Sequence, residues 1–158
     1  MKRILAVLLA AAGLSVASVS ALADVTYVDQ VSQIQVGTPI NACSTIGSAS
    51  FSGQATGGLP GTFNDTFCYI GPPPGPNVRE TITNGPWTLA GNNLSFSGQF
   101  CNGGTIQWNA SGLEAAVNTK LRTNNSTCGA PLGTGSLTGT WSRLYSPSTF
   151  KGTFTLTV

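Results

Sequence analysis

Apolar and polar residues alternate with a period of two along most of this chain, most plainly over its last nine residues. In Phe150-Lys151-Gly152-Thr153-Phe154-Thr155-Leu156-Thr157-Val158 the apolar residues and Gly152 take one face and Lys and Thr the other, which predicts a strand with one buried side. Thr62 to Tyr69 repeats the pattern with Phe63, Phe67 and Tyr69 inward, and Leu94 to Cys101 repeats it with Leu94, Phe96, Gly98 and Phe100. Cys68 and Cys101 then fall on the face opposite the aromatics. Ala115 to Thr123 alternates as well, with Ala115, Val117 and Leu121 on one side. A helix competes there, because Leu113, Glu114, Ala115 and Ala116 are fair helix formers. Its apolar stripe would hold only Leu113, Val117 and Leu121, so strand is the better reading.

Further strands are expected over Val25 to Val36, Ile46 to Ala55, Val78 to Thr83, Trp87 to Ala90, Thr105 to Trp108 and Leu137 to Tyr145. The connectors carry turn chemistry: Gly57-Gly58-Leu59-Pro60-Gly61, Asn84-Gly85-Pro86, Gly91-Asn92-Asn93, Asn102-Gly103-Gly104 and Gly133-Thr134-Gly135. Gly71-Pro72-Pro73-Pro74-Gly75-Pro76 is too short for a domain linker and reads as a rigid surface connection between two strands. The pattern apolar-x-Gly-x-apolar occurs at Phe51 to Ala55, Leu59 to Phe63, Phe96 to Phe100, Leu137 to Trp141 and Phe150 to Phe154, with glycine on the inward face each time. Inward glycines mark close backbone approach and sharp coiling, as at the bends of small barrels. The expected fold is all-β: a single antiparallel β-barrel of about 8 to 10 short strands, a two-sheet β-sandwich being the alternative with the same strand count.

The first 23 of the 158 residues stand apart. Lys2 and Arg3, an apolar run from Ile4 to Leu14 and Ala21-Leu22-Ala23 before Asp24 have the order of an export signal. That leaves residues 24–158 as one all-β domain, exported to the periplasm, the cell surface or the medium. Of those 135 residues 47 are apolar, and five basic residues balance five acidic ones. A neutral chain lacks the electrostatic footprint of a nucleic-acid binder. No apolar stretch after Asp24 approaches the roughly 20 residues of a membrane helix, so no transmembrane segment is expected there. Cys43, Cys68, Cys101 and Cys128, an even number in an exported chain, predict two disulfides. Three pairings are open. Sequential pairing closes two loops of similar length, each stabilising the fold by roughly 3 to 4 kcal/mol on the chain-entropy model. With no histidine, no CxxC pair and no methionine after the initiator, neither a metal nor another cofactor is expected.

The absence of histidine also removes the commonest general base and the Ser-His-Asp design, so no catalytic constellation is expected. Strand phase yields one sharper observation. Asp65 shares parity with Phe63 and Phe67, Glu80 with Val78 and Ile82, and Arg143 with Trp141 and Tyr145. In unbroken register two acids and an arginine face the interior as a candidate ligand site. A bulge or a strand end would return each charge to water, the commoner outcome near glycine-rich corners. Trp87 follows Gly85-Pro86 at a strand start and is the indole expected to be exposed, hence a fourth candidate binding residue, whereas Trp108 and Trp141 alternate with apolar neighbours and are expected in the core.

Gly139-Thr140-Trp141 resembles the Gly-x-Trp of lipocalin-like and avidin-like barrels, where that motif opens the barrel; here it lies near the end of the chain. Cys43 shortly after the first strand is similar to chaperone-assembled pilus subunits, which usually carry one disulfide and a C-terminal aromatic; here there are four cysteines and the end is Leu156-Thr157-Val158. Neither resemblance assigns a family. Three functions are expected in order: a non-catalytic structural or adhesive envelope protein partnered by itself as a homo-oligomer or fibre; a monomeric ligand-binding barrel for a glycan or small molecule; an enzyme or enzyme inhibitor. Pairing between the two terminal strands would leave no edge for assembly and favour the second.

Overall fold

The structure, a computed structural model, describes residues 24–37, 43, 47–129 and 133–158. The expected export signal over residues 1–23 lies outside the described residues. Among the described residues ten strands follow one another: β1 (Thr26–Val36), β2 (Gly47–Gly57), β3 (Gly61–Ile70), β4 (Arg79–Asn84), β5 (Pro86–Gly91), β6 (Ser95–Phe100), β7 (Gly104–Trp108), β8 (Glu114–Thr123), β9 (Thr134–Ser142) and β10 (Thr149–Thr157). Each segment read as a strand from its alternation contains one, with Ile46 of the expected Ile46 to Ala55 lying outside the described residues, and this includes Ala115 to Thr123, where helix propensity yields to pairing on both sides.

All pairings are antiparallel, and β1, β10, β9, β8, β6, β5, β3 and β2 close a ring through β2–β1. The barrel, not the sandwich, is the architecture, with β4 and β7 as two extra strands. Their place explains how ten strands fit an eight-strand ring. Gly61 to Asp65 of β3 pair with β5, and Leu121 to Thr123 of β8 pair with β6. Beyond those stretches Cys68 to Ile70 of β3 pair with β4, and Ala115 to Asn118 of β8 pair with β7. The β5–β6 and β4–β7 pairs therefore fill the same sector at opposite ends, and the wall is eight strands round at each. The terminal strands pair along nine residues from Thr26↔Thr157 to Ile34↔Thr149, so the closing seam carries a full ladder.

Inward glycines let the wall coil. A Cβ on Gly98 would lie 1.8 Å from the Arg122 carbonyl oxygen, and one on Gly152 2.2 Å from that of Thr138. Gly139 and Gly152 face each other in register, and the Phe150 ring lies over both. The lumen is filled, not hollow: Phe63 and Phe154 rings stand 4.9 Å apart, Phe67 and Phe100 5.0 Å, Phe51 and Trp141 5.3 Å, Trp87 and Phe154 5.5 Å. Each such ring removes a large apolar area from water, and truncation of one costs about 3 to 5 kcal/mol. Cys43 bonds Cys68 and Cys101 bonds Cys128, the sequential pairing, with Cys68 and Cys101 opposite in parity to the inward Phe67 and Phe100.

Four placements depart from the sequence reading. Leu94, expected inward with Phe96, precedes β6 and is 48% exposed, its carbonyl accepting the Gly91 amide at the β5–β6 turn. Strand β9 runs from Thr134 to Ser142, not Leu137 to Tyr145, because Thr134 and Gly135 pair with Thr157 and Leu156 of β10 instead of forming a turn. Arg143 thus lies past the strand end, where its amide bonds the Leu113 carbonyl and its side chain is exposed; unbroken register does not carry it inward. Trp87 is 1% exposed, not a surface indole. Pro86 already belongs to β5, so Trp87 points inward, and its Cζ2 atom occupies space beside Gly98 where a Cβ would stand only 2.8 Å away.

Candidate functional site

The four candidate residues divide into two pairs. Asp65 and Trp87 are register partners on β3 and β5 and both face the lumen. Asp65 is 3% exposed. The Gln33 amide, on β1, donates to Asp65 Oδ1 at 3.0 Å and to the Phe63 carbonyl at 3.2 Å. It reaches β3 across β2 because Gln33 faces Gly53 in register, and glycine puts no side chain between them. Burial pushes the Asp65 carboxyl up to about 8, against the lowering effect of the Gln33 hydrogen bond. The acid is therefore neutral at pH 7. Asp65 Oδ2 and Gln33 Oε1 both lack partners, and a proton on Oδ2 supplies the one donor this acid–amide pair is missing. Asp65 thus ties β1 to β3, and with Trp87, Phe51 and Pro86 it also lines a depression of about 200 Å³. Sequence phase placed Asp65 inward but missed Gln33; the signal was its shared parity with Val31, in a strand whose outward residues include the half-exposed Val28 and Ile34.

Glu80 and Arg143 come together at the barrel mouth where β3, β9 and β1 have their C-terminal ends. Glu80 is 1% exposed on the inward side of β4, and its Oε2 accepts the Trp108 indole N–H at 2.8 Å. Trp108 and Trp141 flank Ala115 in register across β7, β8 and β9, and that small residue lets their rings approach to 5.2 Å. The Arg143 guanidinium carbon lies 5.5 Å from the centroid of the Trp108 ring. A cation over the outer face of the indole and a carboxylate on its N–H hold Trp108 between opposite charges. Burial raises the Glu80 carboxyl above the usual range, with the Trp108 hydrogen bond and Arg143 pulling it back. The Tyr69 phenol is raised by burial and by Glu80, against Arg143.

Beside this constellation lies a pocket of about 300 Å³ walled by Tyr69, Gly47, Gly71, Pro72, Pro73, Pro74 and Glu80. The proline loop, read as a surface connector, forms one of its walls. Two glycines set its shape. A Cβ on Gly47 would stand 2.2 Å from the Tyr69 ring, and one on Gly71, at φ +151°, would stand 3.1 Å from Glu80 Cα and Cγ. Any larger residue at either position displaces Tyr69 or Glu80. Tyr69 also touches Trp141, ring centroids 6.3 Å apart, so the pocket joins the indole pair through it. Among the described residues no three Asp, Glu, Cys or His side chains gather as metal donors. No family model, curated protein or solved structure matches this chain.

Proposed function

We propose that the protein is an exported, non-catalytic binding barrel whose mouth pocket takes a small hydroxyl-bearing ring, a neutral sugar residue being the chemical class that fits. One observation carries this reading: the Glu80 carboxyl on the inward side of β4 borders a pocket otherwise walled by the Tyr69 ring and three prolines. Flat apolar surfaces suit the C–H face of a sugar, and a carboxylate held by a single hydrogen bond can accept from a hydroxyl. The ladder between β1 and β10 supports a monomer over a fibre, since strand addition needs a free edge. Asp65 is held by Gln33 and lines one depression while Glu80 lines the mouth pocket, so these two acids do not flank a common opening as a glycosidase requires. Two disulfides accord with an oxidising compartment.

The test is a titration of tryptophan fluorescence with neutral mono- and disaccharides. Trp108, bonded to Glu80, is expected to report saturable binding. Tyr69→Ala and Glu80→Gln are expected to weaken it about tenfold each with unchanged circular dichroism. A protein that answers to no neutral saccharide, or whose binding survives both changes, is not a binder of this kind.

A further inference from the structure

The charges of this protein are balanced in the chain but not on the surface. Three of the five acids after the expected signal, Asp29, Asp65 and Glu80, are buried. All five cations, Arg79, Lys120, Arg122, Arg143 and Lys151, remain exposed or half-exposed, against only Asp24 and Glu114. The outer wall is therefore basic, contrary to what neutrality of composition implies.

Topology gathers two of these cations at a seam. Strand β8 pairs with β7 as far as Asn118↔Thr105 and with β6 only from Leu121↔Phe100, and between them the chain turns through Asn102-Gly103-Gly104. Cys101 donates its amide to the Lys120 carbonyl at 2.8 Å, which holds this turn against β8. The seam opens a depression of about 420 Å³ lined by Arg79, Asn102, Gly103, Thr105, Asn118 and Lys120. Gly103, at φ +96°, has nothing within 4 Å of where a Cβ would stand, so the backbone there is open to an approaching group. Among the described residues no carboxylate lines the depression, and neither cation has an ion-pair partner.

We propose that this depression binds the anionic group of an acidic polysaccharide, a sulfate or a carboxylate, with Arg79 and Lys120 as its charge partners and the Asn102 and Asn118 amides as donors to it and to neighbouring hydroxyls. Two cations facing one cleft without a counter-charge, flanked by amides and a hydroxyl, are complementary to an oxyanion on a hydroxyl-rich chain. The site lies on the outer wall and is independent of the mouth pocket.

The purified protein is titrated with sulfated dextran, polygalacturonate, neutral dextran and a single-stranded oligonucleotide, at low and raised salt. Binding to one of the two acidic polysaccharides, weakened by salt, is expected, and the stronger of the two names the group. Arg79→Gln and Lys120→Gln are each expected to lower that affinity about tenfold, while Lys151→Gln, an exposed cation elsewhere on the wall, changes it less than about twofold. Equal losses from all three changes would mean diffuse surface charge and no site. Equal binding to neutral dextran, tighter binding to the oligonucleotide, or full affinity in both seam variants would each overturn the proposal. Exposure of both side chains makes misfolding of the variants an unsuitable explanation, and circular dichroism checks it.

Discussion

Replacing Asp65 with Asn tests whether a buried neutral acid ties β1 to β3. An ordinary Asp carboxyl ionises near 3.8, and burial pushes this one up to about 8. Between those values the native state keeps a proton that the unfolded chain has released. Stability contributed by the protonated acid is thus fully present below about pH 4, is lost as pH rises, and stops falling once the native group ionises near pH 8. At about 1.4 kcal/mol for each pH unit, the cost of Asp65 to the fold reaches about 5 kcal/mol at pH 8. An Asn amide keeps an acceptor for Gln33 Nε2 and offers an N–H where the carboxylic proton would be, so it preserves the pair without the titration. Urea unfolding of both proteins from pH 4 to pH 9, disulfides intact, measures the difference directly. Asp65→Asn should match the parent near pH 4 within about 1 kcal/mol and exceed it by several kcal/mol at pH 8. A difference that stays constant with pH, or a variant less stable at pH 8, would refute the neutral buried pair.

Other perturbations read other parts of the fold. Glu80→Gln should leave the Trp108 N–H an acceptor and alter stability little at neutral pH, whereas Glu80→Ala strands it and should cost about 1 to 3 kcal/mol by thermal unfolding. Gly98→Val should abolish the folded state seen by circular dichroism, since its Cβ collides with the Arg122 carbonyl, while Gly103→Ala, strained in φ but in open space, should cost only about 1 kcal/mol. Phe63→Ala should lose about 3 to 5 kcal/mol in urea unfolding because its ring packs against both Phe154 and Trp87. Removing the Cys101–Cys128 bond by paired alanines should lower stability by about 3 kcal/mol, as expected for a crosslink spanning 27 residues.

Alternation in the sequence located the strands because almost every strand here has one face in a packed lumen. It erred at β9, where Gly133-Thr134-Gly135 looks like a turn locally, yet pairing with the end of β10 extends the strand over it. That three-residue shift moved Arg143 from an expected inward place to the outside of Trp108. The inward glycines pointed to the barrel, since backbones as close as those at Gly98 and Gly152 are what strong coiling demands. Parity also placed Asp65 and Glu80 inside. What it could not tell was that they serve different neighbours, Gln33 in one case and Trp108 in the other, because the facing of β1 on β3 across Gly53 depends on inter-strand register. The basic surface was hidden for the same reason: composition counts charges, and only the fold says which are buried.

The most direct test of a binding barrel with its site at the mouth is amide and indole chemical-shift mapping of the purified, isotope-labelled protein during titration with neutral saccharides. Saturable shifts confined to Gly47, Tyr69, Gly71, Glu80 and the Trp108 indole N–H, in a spectrum of monomeric line width, are the expected result. Shifts centred elsewhere on the barrel, or broadening that marks self-assembly, would contradict it.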